Sequence, residues 1–307
     1  MGTPSFAVPV LAALIRAHVV TGVVTQPDRP AGRGRQVVEP AVKQFAREAG
    51  LPVIQPRRLR EPEALAQLQT WAPDLVVVAA FGQILRPDVL SLPPHGCLNV
   101  HASLLPRHRG AAPIAAAILA GDPETGATIM RMDEGLDTGP ILAQAHLAIH
   151  SDDTSQSLAE RLAPLGAALL LDVIPAYLDG RLAPVAQDQS VASYAPQLKK
   201  EDGHLDVTRP AVELERRVRA FTPWPGAFVL WSEPGSSDAR PLKILRASAL
   251  GERLADAGEI VDTAQGPAVG CDASALLLLE VQPPGKRAMP ARDFARGARG
   301  FIGGHVQ

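Results

Sequence analysis

An asparagine and a histidine stand two residues apart in the short apolar stretch LNVHA, residues 98–102. Side chains alternate between the two faces of a β-strand, so Asn99 and His101 share a face if this stretch is extended. An amide can donate a hydrogen bond to a developing oxyanion, and an imidazole can donate or shuttle a proton. The pair is a candidate for acyl-transfer chemistry, although position alone favours a core histidine beside a turn-capping asparagine.

A carboxylate follows in the loop sequence MDEGLDTG, which contains Asp133 and Asp137. A carboxylate near an imidazole orients the ring and favours its charged form. Asp137 is the preferred candidate, with Asp133 as a rival and an Asx turn beside Thr138 as the alternative role. Ser103 lacks the G-x-S-x-G elbow of a serine nucleophile, so the pattern favours direct transfer to an incoming nucleophile.

The elements that must position these residues alternate between apolar β runs and helical patterns over the first half of the chain. This alternation predicts an α/β fold, Rossmann-like, with a mostly parallel sheet and helices on both faces. Ligands of such sheets bind outside the carboxyl ends of the strands, which is where Asn99 and His101 are expected.

Three regions are predicted along the chain. Residues 1–180 form the catalytic domain, 181–203 form a linker rich in polar residues and turn signals, and 204–307 form a second domain. The second domain begins with one helix and continues with short β runs separated by turns, a pattern typical of a small OB-like β-barrel.

Composition excludes several classes of protein. The 307 residues carry a net charge of −2, so a nucleic acid would have to bind to local basic surfaces. Two distant cysteines form neither a disulfide framework nor a zinc motif, which indicates a reducing, cytoplasmic compartment and no metal. No apolar run approaches the ~20 residues of a membrane span, and no signal peptide is recognised.

Longer motifs give a resemblance to a known family. Asn99, His101 and Asp137 stand within SLLPRHRGAAPI and MDEGLDTG, and further motifs are TQPDRPAGRGR, VVVAAFGQIL, AGDPETGATIM, RAFTPWPGAF and QPPGKRAM. Together they resemble the folate-dependent formyltransferases over essentially the whole chain, most closely the bacterial members that act in translation initiation.

The resemblance implies an enzyme of one-carbon metabolism that moves the formyl group of 10-formyltetrahydrofolate to the amino group of methionyl initiator tRNA. It maps the family's catalytic trio onto Asn99, His101 and Asp137. It also maps the folate-binding segment onto SLLP, which is Ser103, Leu104, Leu105 and Pro106. No metal is implied, and the protein is expected to be a monomer.

Two basic segments are candidates for tRNA binding under the same resemblance. Arg33 and Arg35 lie in the Gly- and Pro-rich loop PDRPAGRGR, which otherwise suits a solvated loop. Lys286 and Arg287 begin a C-terminal stretch, residues 281–307, with five basic residues and one acid. A solvated helix face is the alternative interpretation for this second segment.

One departure from the family concerns the amino end. The family begins with a hydrophobic strand that leads into a GTP turn, whereas here MGTPSFA begins at the turn itself. That strand lies at the centre of the expected sheet. The sequence therefore predicts that the first strand of the sheet is missing. We interpret this as a true start that lies upstream of Met1, unless another segment fills the gap.

Other functions remain open at this stage. Formyltransferases that act on a small amine, such as a nucleotide or a sugar nucleotide, share the Asn/His/Asp trio. A nicotinamide dehydrogenase would need a better glycine-rich turn than GTPSFA. A non-catalytic RNA-binding protein would give no reason for Asn99, His101 and Asp137 to occur together.

Overall fold

The structure, a computed structural model, describes residues 1–31, 36–232 and 239–307. Two compact units are distinguished by the contacts within the chain. The first comprises Met1–Pro113, Pro123–Ala148 and Leu158–Pro196, and the second comprises Ile114–Asp122, Ile149–Ser157 and Gln197–Gln307.

The secondary-structure elements follow one another as short strands and helices of moderate length. The strands are β1 (Val23–Val24), β2 (Arg29–Ala31), β3 (Gln36–Val38), β4 (Val53–Ile54), β5 (Val76–Val78), β6 (Cys97–His101), β7 (Arg109–Gly110), β8 (Glu124–Arg131), β9 (Ile141–Ala148), β10 (Tyr194–Ala195), β11 (Phe228–Ser232), β12 (Arg240–Leu250), β13 (Ile260–Thr263), β14 (Gly266–Gly270), β15 (Ala275–Gln282), β16 (Met289–Pro290) and β17 (His305–Val306). The α-helices are α1 (Val8–Ala17), α2 (Ala41–Glu48), α3 (Pro62–Trp71), α4 (Pro87–Leu90), α5 (Pro113–Ala120), α6 (Ser155–Leu178), α7 (Ala211–Ala220) and α8 (Ala291–Gly297). Three-residue or four-residue 3₁₀ helices span Ser5–Ala7, Gln189–Val191 and Lys200–Gly203.

The sheet of the first unit is parallel in its first part and antiparallel in its last. β1 pairs with β4 and β5 with β6 in parallel, and β8 and β9 then continue beyond β6 as antiparallel strands. β6 is buried along its whole length, as expected of a strand with neighbours on both edges and layers on both faces. The α/β architecture predicted for this part of the chain is confirmed.

The helix α6 covers the centre of this sheet. Gly166 faces Val100 of β6 so closely that a Cβ at this position would lie 2.7 Å from the Val100 Cγ1 atom. By length and composition α6 could cross a membrane, which the sequence patterns did not predict. Its residues Leu170 and Ile174 are instead buried in the core of the first unit, as in the central helix of a globular domain.

Met1 and Gly2 occupy the position between β1 and β5 where the first strand of the sheet is expected. The Gly2 amide donates to the Val24 carbonyl at 3.0 Å, and Gly2 forms a parallel bridge with Ala79. The Met1 amino group donates to the Val77 carbonyl at 2.6 Å, and the Met1 carbonyl accepts from the Ala79 amide at 2.9 Å. These two residues therefore already have the hydrogen bonds of a parallel strand.

A groove of about 400 Å³ continues from Met1 between the two halves of the sheet. Apolar side chains of α1 and α6 line it, among them Leu11, Leu14 and Ile174, together with Trp71. Burial lowers the pKa of the Met1 ammonium group from 8.0 to about 6. The groove lies where the sequence predicts the missing strand.

Part of the predicted linker, 181–203, is paired with the first unit. The Ile141 amide donates to the Val185 carbonyl at 2.7 Å, and β10 lies parallel to β7. Because its backbone groups bond to strands of this unit, residues 185–195 are an integral part of it; they are called the 185–195 segment below.

The second unit contains an antiparallel sheet closed into a barrel. Its strands follow the order β13-β14-β15-β12-β11-β17, with β16 beside β15. A bridge between Glu259 and His305 joins the two ends of this order. Trp231, Phe294 and Phe301 meet edge to face inside the barrel. The β-barrel domain predicted for this part of the chain is confirmed as a C-terminal domain of mostly antiparallel strands.

Candidate active site

Asn99 and His101 lie on one face of β6, near its carboxyl end. They are 8% and 5% exposed, and β8 places Met130 and Thr128 beside them in an antiparallel register. Both side chains are thus fixed by a strand that is itself paired on both edges. The two-residue spacing in the sequence becomes a pair of polar groups that point in the same direction.

Asp137 meets both side chains from the loop between β8 and β9. The Asn99 amide nitrogen donates to Asp137 Oδ1 at 3.3 Å, and His101 Nδ1 lies 3.7 Å from Asp137 Oδ2. The Gly110 backbone amide donates to the same Oδ2 at 2.8 Å. The three residues of the predicted trio are therefore brought together, although Asp137 is 38 residues from Asn99.

Asp133, the rival acid, has a different role in the same loop. Its Oδ1 accepts from the Gly135 amide at 3.0 Å and from the Thr138 hydroxyl at 2.8 Å, in an exposed position. The Asx turn considered for Asp137 is thus made by Asp133. This turn closes the loop and leaves the Asp137 carboxylate free to face His101.

The second ring nitrogen of His101 decides the tautomer of the ring. Nε2 lies 3.0 Å from the His108 carbonyl oxygen, which can only accept, so Nε2 carries a proton. Nδ1 is then the nitrogen that faces Asp137. The 3.7 Å between Nδ1 and the carboxylate is longer than a direct hydrogen bond. The two groups therefore interact either by charge, when Nδ1 carries a proton, or through a donor that bridges them.

His108 directs its carbonyl at His101 from an unusual backbone conformation, with φ at +58°. Its amide donates to the Ser193 hydroxyl at 2.9 Å, and the Ser193 carbonyl accepts from the Arg109 amide at 2.8 Å. These contacts come from the 185–195 segment. The hydrogen bonds that orient His101 therefore depend on residues that the sequence analysis assigned to a linker.

The predicted folate segment, Ser103–Pro106, is held against β8 by a buried hydroxyl and against β9 by a side-chain amide. The Thr128 hydroxyl donates to the Ser103 carbonyl at 2.6 Å and accepts from the Leu105 amide at 3.1 Å. Gln144 donates to the Leu105 carbonyl at 2.9 Å. The segment starts two residues beyond His101, so it forms a fixed rim beside the imidazole.

Neither cysteine is available as a nucleophile at neutral pH. Burial raises the pKa of the Cys97 thiol to about 12 and that of the Cys271 thiol to about 11. Within residues 1–31, 36–232 and 239–307, no group of three or more His, Cys, Asp or Glu side chains could hold a metal ion.

Of the residues expected to bind tRNA, Arg33 and Arg35 lie outside the described residues. The strands β2 and β3 that flank them form an antiparallel pair. At the base of this pair, Asp28 accepts from Gln55 and from Lys43, both at 2.6 Å. These hydrogen bonds lower the pKa of the Asp28 carboxyl group and keep it negatively charged.

Lys286 and Arg287 are exposed in the turn between β15 and β16. The Lys286 backbone is fixed by its amide, which donates to the Pro283 carbonyl, and by its carbonyl, which accepts from Gln282. Both cationic side chains are therefore presented to solvent by an ordered turn.

Arg109 and Gln187 are side chains near the site that the sequence patterns did not single out. Both are buried, and Gln187 contacts the loop that carries Asp137. A glutamine in a polar stretch and an arginine that follows another arginine and a histidine give no local signal of burial.

Family models and similar proteins of known name all point to the same family. The model described as formyl transferase matches residues 1–174, and that described as formyl transferase, C-terminal domain, matches residues 197–299. The methionyl-tRNA formyltransferase of Myxococcus xanthus is 52% identical over 297 residues, which are 97% of this chain and 93% of that protein. The methionyl-tRNA formyltransferase of Roseiflexus sp. is 47% identical over 303 residues, covering 97% and 91%.

A solved structure shares the fold at lower identity. It is WlaRD, a sugar 3N-formyl transferase, crystallised in the presence of dTDP and 5-N-formyl-THF, with a TM-score of 0.65. The match covers 93% of this chain and 97% of that one at 17% identity. At this identity the likeness concerns the architecture alone.

Proposed function

Because this chain belongs to the formyl transferase family, we propose that it transfers the formyl group of 10-formyltetrahydrofolate to the amino group of methionyl initiator tRNA. The observation that carries the substrate assignment is the similarity to relatives named methionyl-tRNA formyltransferase, which extends over nearly the whole chain. The arrangement of Asn99, His101 and Asp137 supports the chemistry independently of those names.

The residues present suit a folate that carries a formyl group. When bound, this co-substrate supplies a carbonyl carbon on a nitrogen that can leave. Ser103, Leu104, Leu105 and Pro106 would hold it, because Thr128 fixes this rim directly beside His101. The donors Asn99 and His101 lie on the face where the oxygen of such a carbonyl would gain negative charge.

Asn99 stabilises the oxyanion with its side-chain amide. That amide has two N–H groups, and one of them donates to Asp137 Oδ1. The bond to Asp137 fixes the rotation of the amide and leaves the second N–H free to donate to the substrate oxygen. A donor fixed in advance needs no reorganisation when the charge develops.

His101 donates through Nδ1, since its Nε2 proton is used by the His108 carbonyl. Donation from Nδ1 requires a proton on this nitrogen in addition to the one on Nε2, and Nδ1 lies 3.7 Å from Asp137 Oδ2. Asp137 also accepts, through a bridging water, the proton that the attacking amine releases, and passes it toward the leaving nitrogen. Neither role requires a covalent acyl-enzyme.

For tRNA, we propose that Arg33, Arg35, Lys286 and Arg287 contact the phosphate backbone or unstacked bases. Arginine suits both, because its planar guanidinium donates to phosphate in pairs and stacks on bases. The exposed position of Lys286 and Arg287 supports this assignment. The anchored base of the β2–β3 pair supports it for the loop that contains Arg33 and Arg35.

The test is a formylation assay with three acceptors. The purified protein is incubated with 10-formyltetrahydrofolate and either methionyl initiator tRNA, a glycinamide nucleotide or an amino-sugar nucleotide, and products are identified by mass spectrometry. We expect formylmethionyl-tRNA and at most trace transfer to the small amines. Faster transfer to a small amine than to the tRNA would refute the substrate assignment while preserving the reaction class.

A further inference from the structure

Gln187 uses the full hydrogen-bonding capacity of its side chain between a buried arginine and the loop of Asp137. Its Nε2 donates to the Asp137 carbonyl at 2.9 Å and to the Gly139 carbonyl at 2.7 Å. Its Oε1 accepts from Arg109 Nη2 at 2.7 Å and from Arg109 Nε at 3.0 Å. The surrounding groups fix the amide orientation, because a flipped amide would place its NH₂ against the guanidinium.

The loop at Asp137 has a backbone that needs external support. Asp137 has φ at +53°, a left-handed conformation that aspartate tolerates better than most non-glycine residues but that still costs free energy, so contacts that fix it matter. Gln187 bonds the carbonyl of this residue and the carbonyl two residues later. It therefore fixes the peptide group that directly follows Asp137 and a second peptide group two residues further along the same loop.

Arg109 connects this support to the other side of the site. Its guanidinium is 1% exposed and also donates from Nη1 to the Gln189 side chain at 2.8 Å. The next residue, Gly110, donates its amide to the Asp137 carboxylate. The short strand β7 therefore acts on Asp137 in two ways. The Gly110 amide bonds the Asp137 carboxylate, and the Arg109 side chain supports the Asp137 backbone through Gln187.

We propose that Gln187 is a positioning residue for formyl transfer. This inference rests on the proposed function. By fixing the backbone of Asp137, it sets the carboxylate at the distance from His101 and Asn99 that the reaction requires. Arg109 fixes Gln187 in turn. Gln187 does not touch the substrate, so its effect is transmitted entirely through Asp137.

The test compares two substitutions at this position with a nearby control. Gln187→Ala removes all four hydrogen bonds, and Gln187→Glu retains the size and the contact with Arg109 but loses both donors to the loop. Ser190→Ala is the control, because Ser190 is exposed in the same segment and bonds only locally, to Asp188. We expect kcat to fall roughly 10–100-fold in both Gln187 variants, since displacement by about 1 Å costs up to 10²-fold.

KM values for both substrates should stay within about threefold, and Ser190→Ala should match the parent protein. Equal loss in Gln187→Glu and Gln187→Ala, with Gln187→Glu still folded by circular dichroism, would support positioning over a purely structural role. Near-normal kcat in a folded Gln187→Glu protein would overturn the proposal.

A double-mutant cycle shows whether the effect passes through the carboxylate. In an Asp137→Asn background, Gln187→Glu should cause less than about a twofold further loss, because residues that act through one another are not additive. Additive losses of 10-fold or more would show that Gln187 acts by another route, and the proposal would fail.

A spectroscopic readout separates this proposal from the proposed function. Asn99 is the single asparagine of the chain, so ¹⁵N-asparagine labelling gives one side-chain amide pair that reports its bond to Asp137. We expect that pair to shift in Gln187→Glu and not in Ser190→Ala. An unshifted pair would overturn the positioning role. A shifted pair in Gln187→Glu, together with no formyl transfer by the parent protein, would overturn the proposed function instead.

Discussion

At the scale of single residues, the two nitrogens of His101 have different partners. Nε2 bonds the His108 carbonyl, and Nδ1 faces Asp137. The ring therefore cannot exchange tautomers without losing a buried hydrogen bond, and an unpaired buried polar group costs about 1–3 kcal/mol. The ring of His101 is therefore held with Nδ1 directed at Asp137.

The oxyanion donors give the first prediction at this scale. Asn99→Ala and His101→Ala should each lower kcat by roughly 10²–10³-fold, because each removes a preorganised donor to a charge that exists only in the transition state. KM should change far less, since neither donor is expected to contribute much to ground-state binding. Steady-state kinetics with both substrates checks this prediction.

A matched control for the histidine is His146→Ala, since His146 is exposed and pairs only with Glu124 at the edge of the sheet. This variant should turn over like the parent protein. If His101→Ala also retained near-normal turnover, the mechanism proposed for the imidazole would be excluded.

At the scale of elements, the amino end of the chain combines the hydrogen bonds of a strand with an empty groove behind it. Extension of the chain by Met-Lys-Val-Ile-Val before Met1 should fill that groove with apolar side chains beside β1 and β5. We expect the Tm to rise by about 5 °C or more, because apolar burial and the loss of a buried charge both stabilise the fold. Differential scanning calorimetry measures the shift.

The control extension is Met-Lys-Gly-Ser-Gly, which has the same length but no apolar side chains. It should raise the Tm much less, because it removes the charge without filling the groove. Equal shifts from the two extensions would mean that the groove does not accept an apolar strand.

The buried ammonium group also predicts a pH dependence of stability. Its pKa is about 6 in the folded chain and 8.0 ordinarily, so the unfolded chain binds more protons between these values. The free energy of unfolding should therefore rise with pH from about 6 to 8, by about 3 kcal/mol in total, and be insensitive to this group below pH 6. Denaturant titrations of protein whose intact mass retains Met1 measure the rise.

The same titrations of the extended chain provide the comparison, since its ammonium group no longer lies at Met1. The rise should be smaller there by that amount. Identical pH profiles for the two chains would show that Met1 is not held in its buried position.

At the scale of the whole molecule, a net charge of −2 requires that tRNA binding depend on local cations. Arg33→Ala and Lys286→Ala should raise the KM for tRNA and reduce the slope of log KM against log salt by about one phosphate contact each. The KM for the folate should not change. Kinetics between low and physiological salt tests both variants.

Arg181→Ala serves as a control for these charges, because Arg181 is exposed but already paired with Asp179. It should leave the salt dependence unchanged. An unchanged slope in Arg33→Ala would exclude that residue from the proposed tRNA-binding surface. An unchanged slope in Lys286→Ala would exclude the turn between β15 and β16 from that surface.

Local pattern was sufficient for much of the architecture and for part of the site. The alternation along residues 98–102 predicts that Asn99 and His101 share a face, because strand geometry repeats every two residues whatever the fold around it. Beyond residue 203 the sequence changes to short β runs separated by turn residues, which predicts an antiparallel domain for a similar reason. Periodicity and turn residues act over a few positions, and the sequence displays them directly.

The remaining features depend on contacts between distant parts of the chain. Asp133 and Asp137 stand four residues apart in the same polar loop, and only the folded loop shows that the first closes a turn while the second faces His101. Arg109 and Gln187 are polar residues 78 positions apart that can be buried because each satisfies the other. Such pairing depends on which backbones pack together, so no short-range pattern could reveal it, and the tertiary structure alone decided how the site is held.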